Sequence, residues 1–319
     1  MNPIGGYFEL ADREEGVFPH AGGVLLNTGR NALEYILRTL DNIRKIYLPY
    51  YTCEVVLEPI NKLSIPYQFY HINERLEIAT EINLGEGEYL IANNYFGIKD
   101  DYIQMLADQY KERLIVDCAQ AFFDTPIPGI KMFYSCRKFV GVADGGVAYV
   151  PRTSVRPKIY GEDNTTEHDS HLYTRKQFGA EVGFKEFQEN ECKLDNQPIK
   201  QMSDQTRDIL EHIDYEKIFI ERRENFLLLQ KELGKGNKLS LSLSPNTIPM
   251  IYPFWIHNGA DLRGILISNK VFCARYWPNV LDWSKNGELE YELAQNLIAI
   301  PCDHRYGIAD MERIVKYLL

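Results

Sequence analysis

Apolar residues in the first half of the chain follow two spacings, one typical of helices and the other of buried strands. Residues 32–40 place apolar side chains at helical intervals, and Thr28 can cap a helix that begins near Arg30. The other predicted helices are Thr52–Ile60 and Asp100–Lys111, and the predicted strands are Ile46–Pro49, Pro66–Ile72, Glu88–Asn94, Leu114–Asp117, Lys131–Ser135 and Val147–Val150. This alternation favours an α/β fold with a mainly parallel sheet.

The pattern changes after residue 151. Residues 152–200 are polar and charged, and we expect an excursion with little regular structure or one that only a partner orders. A long helix is predicted over about 203–233, with Ser203-Asp204 as its start. A small α+β domain is predicted beyond it, with strands Ile251–Ile256, Val271–Tyr276 and Ala299–Pro301 and helices Gly259–Ser268, Glu288–Leu297 and Ala309–Leu318. The sequence thus predicts two domains, 1–200 and 201–319.

Composition excludes several classes of protein. The chain has 319 residues, 45% apolar and 25% charged, as is ordinary for a globular protein. Its net charge of -10 argues against a general nucleic-acid binder, because phosphate contacts need a basic face. No apolar run approaches a membrane helix, and the first residues do not resemble a signal peptide. The six cysteines show no metal-ligand spacing, so we expect reduced thiols, no metal and a cytoplasmic location.

An acid and a lysine form the candidate catalytic pair. Asp117 ends the apolar strand Leu114–Asp117, and Lys138 follows about twenty residues later, on a turn that leads to Gly145-Gly146. A lysine can form a Schiff base with pyridoxal 5'-phosphate (PLP), and an acid can hold a proton on the pyridine nitrogen. Either residue alone usually carries no chemistry. The sequence around the two residues decides whether they are ordinary residues or the catalytic pair of a PLP enzyme.

A phosphate site is the second candidate feature. Residues 28–31 (Thr-Gly-Arg-Asn) lie where a loop enters a helix, and free backbone N–H groups there attract anions. Gly29 permits close approach of a ligand, Arg30 offers a planar fork of donors, and Ser135 precedes Lys138 by three residues. An ordinary helix cap is the alternative interpretation. The sequence contains no GxSxG, Walker, HExxH or GxGxxG motif.

Taken in order, these segments resemble motifs of the fold-type-I PLP-dependent sugar aminotransferases, the DegT/DnrJ/StrS family. Similar segments occur over nearly the whole chain: Thr28–Glu34, Ile46–Thr52, Pro66–Ile72, Asn94–Gly97, Val116–Ala121, Lys138 with Asp144-Gly145-Gly146, Gln201–Asp204, Glu221–Arg223, Tyr252–Phe254 and Arg275–Pro278. The resemblance implies the PLP-transferase fold type I, a mainly parallel seven-stranded-type sheet flanked by helices, with a smaller C-terminal α+β domain.

The resemblance also implies roles for individual residues. Lys138 matches the Schiff-base lysine, Asp117 the acid at the pyridine nitrogen, and Gln120 the residue beside the cofactor. The implied cofactor-binding residues are Gly29, Arg30, Asn31, Cys53, Asn94, Asp117, Gln120, Ser135 and Lys138.

The chain departs from the family pattern at several positions. Arg30 replaces a small hydroxyl residue of the phosphate cup, and Cys53 replaces the aromatic residue that stacks on the pyridine ring. Phe133 stands in place of a phosphate-binding serine, so Ser135 is the candidate to replace it. Ile199 stands where a partner subunit's asparagine often reaches the phosphate.

The resemblance implies a homodimeric aminotransferase with its active site between subunits. The amino donor would be an amino acid such as glutamate. The acceptor would be a small keto compound, for instance a nucleotide-linked deoxysugar for surface polysaccharide. The alternative is a non-catalytic relative that binds PLP or a sugar nucleotide as a sensor or scaffold. A third possibility is a related sugar dehydratase, but that branch carries histidine in place of Lys138. Arg175, Lys176 and Arg275 are candidates to bind a diphosphate or the donor carboxylate, although surface charge explains each of them.

Overall fold

One seven-stranded sheet organises the computed structural model of the chain, which describes residues 2–319. The strands are β1 (Ile4–Gly5), β2 (Val24–Leu26), β3 (Lys45–Pro49), β4 (Tyr67–Tyr70), β5 (Glu88–Asn93), β6 (Leu114–Cys118), β7 (Lys131–Ser135), β8 (Gly146–Tyr149), β9 (Ile251–Trp255), β10 (Val271–Phe272) and β11 (Leu297–Pro301). The helices are α1 (Gly29–Leu37), α2 (Leu57–Lys62), α3 (Asp100–Tyr110), α4 (Ser170–Phe178), α5 (Phe184–Cys192), α6 (Asp204–Glu211), α7 (Tyr215–Leu233), α8 (Gly259–Ser268), α9 (Val280–Trp283), α10 (Leu289–Asn296) and α11 (Ile308–Leu318).

The large sheet has the strand order β2-β8-β7-β6-β5-β3-β4. Strand β8 runs antiparallel to its neighbours β2 and β7, whereas all other neighbouring pairs are parallel. The predicted mainly parallel, seven-stranded α/β sheet is therefore confirmed. Because the parallel strands end at one edge, residues that follow β3, β5, β6 and β7 meet there.

Both faces of this sheet are buried. On β5, Leu90 packs on the side of helix α3 with Ile103, whereas Ile91 packs on the side of α1 with Leu33. Successive strand residues point to opposite faces, so a strand covered on both sides is apolar throughout. This explains why the buried strands appear in the sequence as continuous apolar runs.

The C-terminal part has its own apolar cluster. Strands β9 and β11 pair antiparallel, with Tyr252 opposite Ile300, and helices α7, α8 and α11 contribute to the cluster around them. The N-terminal strand β1 joins this part, because Ile4 pairs with Val271 of β10. The chain start therefore reaches across to the C-terminal part, a contact that local sequence patterns do not predict.

The structure corrects the prediction for residues 152–200. Residues 170–192 form helices α4 and α5 rather than the predicted excursion, whereas residues 152–164 and 193–200 contain no helix or β-strand, as predicted. A polar network links the two helices, because the side-chain amide of Asn190 lies 3.1 Å from Ser170 Oγ and 3.0 Å from His171 Nδ1. Aromatic contacts add to it, with the Tyr7 and Phe187 rings stacked 4.7 Å apart. The apolar partners come from the distant N-terminus, so the segment's own sequence did not reveal them.

Other predicted boundaries also change. The predicted long helix over 203–233 is two helices, α6 and α7, and Asp214 caps the second by accepting a hydrogen bond from Lys217 N at 2.9 Å. Helix α2 continues through Pro59 to Lys62, because proline is tolerated in the first turn of a helix. The predicted strand Val271–Tyr276 is reduced to the two residues of β10.

Candidate active site

Lys138 lies on a single 3₁₀ turn, Cys136–Lys138, directly after β7. Gly145 passes close to this turn with φ +122°, and a Cβ there would lie 2.9 Å from Cys136 Cβ, so the position requires glycine. Lys138 is half-buried and lines a cavity of about 760 Å³. Among residues 2–319, no carboxylate oxygen lies within 4.0 Å of its ammonium group. The lysine is thus available to a ligand.

Asp117 lies one strand away, near the end of β6. It is buried, and Oδ1 accepts a hydrogen bond from Ala119 N at 2.8 Å. Burial raises the pKa of the Asp117 carboxyl, while the positive charge of Lys138 and the Ala119 N–H oppose this rise. Asp117 and Lys138 are therefore close enough to interact electrostatically at the same edge of the sheet.

Cys53 follows β3 and lies near the same pair. Burial raises the pKa of its thiol, the charge of Lys138 lowers it, and Asp117 raises it further. Tyr276 comes from the segment after β10 and lines the cavity. Burial raises the pKa of its hydroxyl, and the nearby Cys53 raises it further. The structure thus brings Cys53, Asp117 and Lys138 together, with an aromatic ring from the C-terminal part nearby.

The start of α1 faces the end of β7. Thr28 caps the helix by accepting a hydrogen bond from Asn31 N at 3.1 Å, so the N–H groups of Gly29 and Arg30 are the ones in the first turn that remain without a helical partner. A Cβ on Gly29 would lie 3.4 Å from Ser135 Cβ, so the helix start and this hydroxyl are neighbours. Phe133, two residues earlier on the same face of β7, is buried in the apolar cluster beneath α1. Gly29 and Ser135 together form a cradle suited to a phosphate.

Arg30 and Asn31 do not have the side-chain role that the sequence predicts. Arg30 Nη1 lies 2.8 Å from Glu58 and 2.5 Å from Asp195, so two carboxylates hold its guanidinium. The Asn31 amide donates to Gln197 O at 2.9 Å. Asp195 and Gln197 therefore engage Arg30 Nη1 and Asn31 Nδ2, two of the donors that the sequence predicts for the phosphate.

Asn94 is also occupied by the fold itself. Its Nδ2 donates to Asp100 at 2.9 Å and to Asp124, and its Oδ1 accepts from Lys99 N at 2.9 Å. The amide has no free hydrogen for a ligand. The predicted cofactor contact by the Asn94 side chain is therefore not supported by its geometry.

Gln120 and Asn93 keep unpartnered polar atoms. Gln120 Oε1 accepts from Phe96 N at 3.2 Å, but its Nε2 is buried without a partner. Asn93 donates to Thr52 Oγ1 at 2.9 Å, while its Oδ1 is buried and unpartnered. Buried polar atoms usually have partners, so these two atoms are candidates to contact a ligand. The sequence analysis overlooked Asn93, whose place at the end of β5 was the available signal.

Arg222 is a second residue that the sequence analysis overlooked. It is fully buried on α7 and lines the cavity with Lys138. Its Nη1 donates to Pro249 O at 3.2 Å and to Met250 O at 3.0 Å, whereas Nε and Nη2 have no partner. Its segment, Glu221–Arg223, is one of those that resemble the family's motifs, but the resemblance gave the arginine no role.

The other arginine and lysine candidates differ in burial and in ion pairing. Arg175 is buried rather than on the surface, and it lies 2.7 Å from Glu9. Lys176 pairs with Asp12 at 2.5 Å. Arg275 has no ion pair among the described residues and does not line the cavity.

Comparison with known proteins identifies the fold. No family model and no curated protein matches the chain. Among solved structures, the sugar aminotransferase CalS13 from Micromonospora echinospora matches over 100% of this chain and 99% of its own, with 13% identity and a TM-score of 0.64. A DegT DnrJ EryC1 StrS aminotransferase from Brucella abortus matches over 92% and 84%, with 14% identity and a TM-score of 0.62. NtdA from Bacillus subtilis with bound cofactor PMP matches over 92% and 72%, with 13% identity and a TM-score of 0.62. The chain has the PLP-transferase fold type I of these aminotransferases, as the sequence predicted.

Proposed function

We propose that this chain is a PLP-dependent aminotransferase with Lys138 as its catalytic lysine. The observation that carries the proposal is the placement of an unpaired lysine at a large cavity, beside the buried Asp117, in this fold. The solved structures that share the fold include sugar aminotransferases and one with bound PMP, the aminated form of PLP.

The residues present fit the cofactor. Gly29 and Ser135 would hold its phosphate at the start of α1, where N–H groups without helical partners favour an anion. Asp117 would accept a hydrogen bond from the protonated ring nitrogen, and the unpartnered Gln120 Nε2 would supply a donor. Arg30 would act indirectly, since its acids hold it in the wall of the cradle.

Lys138 and Asp117 would divide the chemistry. PLP supplies an electron sink when bound. Lys138 Nζ would hold the cofactor at rest and would then move a proton at the substrate carbon as general acid and base. Asp117 would accept a hydrogen bond from the ring nitrogen; burial raises the pKa of its carboxyl, while Lys138 and the Ala119 N–H oppose that rise.

The cavity of about 760 Å³ is large enough for an amino acid and for a larger keto compound in successive half-reactions. We propose glutamate as the first donor to test. A keto group on a nucleotide-linked deoxysugar is the first acceptor to test, as the fold neighbours suggest.

We also propose a homodimer. Large apolar side chains are exposed on and around α4 and α5: Val155, Tyr160, Tyr173, Phe178, Val182 and Phe184. Such a concentration of exposed apolar residues is typical of a protein–protein interface. Sedimentation at micromolar concentration should show a dimer, and a monomer would contradict this proposal.

The proposal places the enzyme in the cytoplasm. All six cysteines are free thiols, as expected in a reducing compartment. No helix among residues 2–319 is long and apolar enough to cross a membrane.

Covalent trapping tests the proposed function. Purified protein is mixed with PLP and treated with borohydride, and the modified peptide is located by mass spectrometry. We expect modification at Lys138 and none in Lys138→Ala, with the exposed Lys285→Ala as a control that behaves like the wild type. Absence of any adduct would contradict PLP binding. An adduct without amino transfer from any donor would favour the non-catalytic alternative.

A further inference from the structure

The donors of the phosphate cradle are uncharged groups. They are the N–H groups of Gly29 and Arg30, which have no helical partner, and the hydroxyl of Ser135. The Arg30 guanidinium is held by Glu58 and Asp195, so it does not neutralise a ligand. A phosphate is held best by a guanidinium, which forms two parallel hydrogen bonds with its oxygens. The phosphate would therefore need a cation from another part of the cavity.

Arg137 lies two residues after Ser135, on the same 3₁₀ turn as Lys138. On a strand, neighbouring side chains would point to opposite faces, but the turn ends this alternation. Ser135, Arg137 and Lys138 accordingly all line the same cavity. Arg137 is the cavity-lining arginine that lies nearest in the chain to the cradle.

The guanidinium of Arg137 is only partly engaged. Its Nη2 pairs with Glu191 at the end of α5, whereas its Nε is buried without a hydrogen-bond partner. Nε and Nη2 lie on one edge of the guanidinium, the edge that forms two parallel hydrogen bonds with an anion. Glu191 therefore uses half of this edge, and the other half is available to a ligand.

Glu191 places a negative charge close to the cradle. It lines the cavity with Arg137. Burial raises the pKa of its carboxyl, but contact with Arg137 and the more distant charges of His171 and Arg30 bring this pKa below its usual value. Arg30 belongs to the first turn of α1, so the carboxylate lies near both Arg137 and the helix start. A phosphate in the cradle would compete with Glu191 for Arg137.

We infer that Arg137 is a phosphate-binding residue of the cofactor site and that Glu191 is its counter-ion in the ligand-free protein. Nε and Nη2 of Arg137 would donate to phosphate oxygens, and Glu191 would release Nη2. The inference rests on the proposed function for the identity of the ligand, PLP. It makes the affinity for the phosphate depend on the two residues in opposite directions.

Binding of PLP and of pyridoxal, which lacks the phosphate, tests the inference. Each affinity is measured from the yield of the borohydride-trapped adduct at Lys138 as the ligand concentration rises. We expect Arg137→Gln to weaken PLP binding at least about tenfold and to leave pyridoxal binding unchanged, since a charge-assisted contact to the phosphate is lost. Glu191→Gln should strengthen PLP binding several-fold, because it removes the competing charge. Glu181→Gln is the matched control and should bind PLP as the wild type does, because Glu181 also lines the cavity but pairs with Lys270.

Each result decides the inference. Equal PLP affinity in the wild type and Arg137→Gln would overturn it. An equal loss of PLP and pyridoxal binding would also overturn it, because this would show damage to the cavity rather than loss of a phosphate contact. If Arg137→Gln does not fold, Glu191→Gln decides instead: tighter PLP binding supports the inference, and wild-type affinity overturns it.

Failure of the proposed function gives a different result. A wild type that traps neither PLP nor pyridoxal at Lys138 would refute the proposed function. Calorimetric titration with inorganic phosphate then decides the role of Arg137. Weaker phosphate binding in Arg137→Gln supports that role, and unchanged or absent phosphate binding overturns it.

Discussion

Two arginines near the candidate site, Arg30 half-buried and Arg222 fully buried, have opposite surroundings. Arg30, at the start of α1, has carboxylates at 2.8 Å and 2.5 Å. Arg222, at the cavity wall, has carbonyl and aromatic partners but no carboxylate among residues 2–319. The first arginine has its counter-ions within the protein, so it stabilises the fold. The second has no carboxylate in direct contact, and Asp303 acts on its charge only from farther away, so two of its nitrogens lack a hydrogen-bond partner.

This contrast reverses the expectation from sequence. Arg30 lies in a motif that resembles a phosphate cup, yet its side chain is held by Glu58 and Asp195. Arg222 lies in the segment Glu221–Arg223, to which the resemblance assigns no site role, yet it lines the cavity. The availability of a charge depends on what surrounds it, and the surroundings are tertiary.

The largest effect is expected at Asp117, whose charge acts on the ligand rather than on the fold. Asp117→Ala should lower the rate of amino transfer on the order of 10²–10³-fold, because it removes a preorganised charge from the ring nitrogen. Steady-state kinetics measures this, and Lys138 should still be trapped by borohydride. A rate within threefold of the wild type would show that Asp117 is not the ring-nitrogen partner.

A smaller effect is expected at Arg30, and it should appear in stability. Arg30→Gln leaves Glu58 and Asp195 without their cation and should lower the free energy of unfolding by about 2–3 kcal/mol, below the full cost for a completely buried pair. Urea unfolding measures the change. PLP affinity should change much less than stability. A large loss of PLP affinity with little loss of stability would show that Arg30 binds the phosphate.

His20 extends the comparison of the two arginines to a buried base of another type. Burial can make a histidine neutral, whereas an arginine stays charged. Burial lowers the pKa of His20 to about 4, although the bond to Phe122 O opposes the shift. In the unfolded chain the histidine takes up a proton near pH 6.5, so the unfolded state binds more protons between pH 6.5 and 4. Stability contributed by His20 is present above pH 6.5 and is lost as the pH falls toward 4.

The expected loss from His20 is about 2 kcal/mol between pH 7 and pH 5. Urea unfolding of the wild type and His20→Asn at the two pH values measures it. The variant should be less stable at pH 7 and should show a weaker dependence on pH. An identical pH dependence in both proteins would show that His20 is not neutralised by burial.

The smallest effect is expected at Ser135, on the ligand side of the cradle. Ser135→Ala should weaken PLP affinity by about tenfold, through loss of one hydrogen bond to a charged phosphate. Fluorescence titration measures it, and Ser154→Ala, in a turn outside the cavity, is the control. Unchanged affinity would show that Ser135 does not bind the phosphate and that the backbone of α1 is its main contact.

Local patterns predicted most of the large sheet and the residues of its carboxyl edge. Strand β7 was predicted with its observed bounds, and Lys138, Asp117 and Cys53 come together as the order of segments suggested. The missed features all depend on distant chain segments. Helices α4 and α5 are stabilised in part by Tyr7, and the Asn94 amide is held by Asp124, thirty residues away.

Local signals in the sequence place strands β3 to β8, the lysine turn and the cap of α1. These signals are apolar runs, glycines that permit close approach, and a threonine beside free N–H groups. Which charges have partners depends on the tertiary structure alone. Ion pairing requires distances of a few ångströms between segments far apart in the chain, and local spacing carries no record of those distances. Arg30 is held by Glu58 and Asp195, whereas Arg222 lines the cavity with no carboxylate within 4.0 Å among residues 2–319.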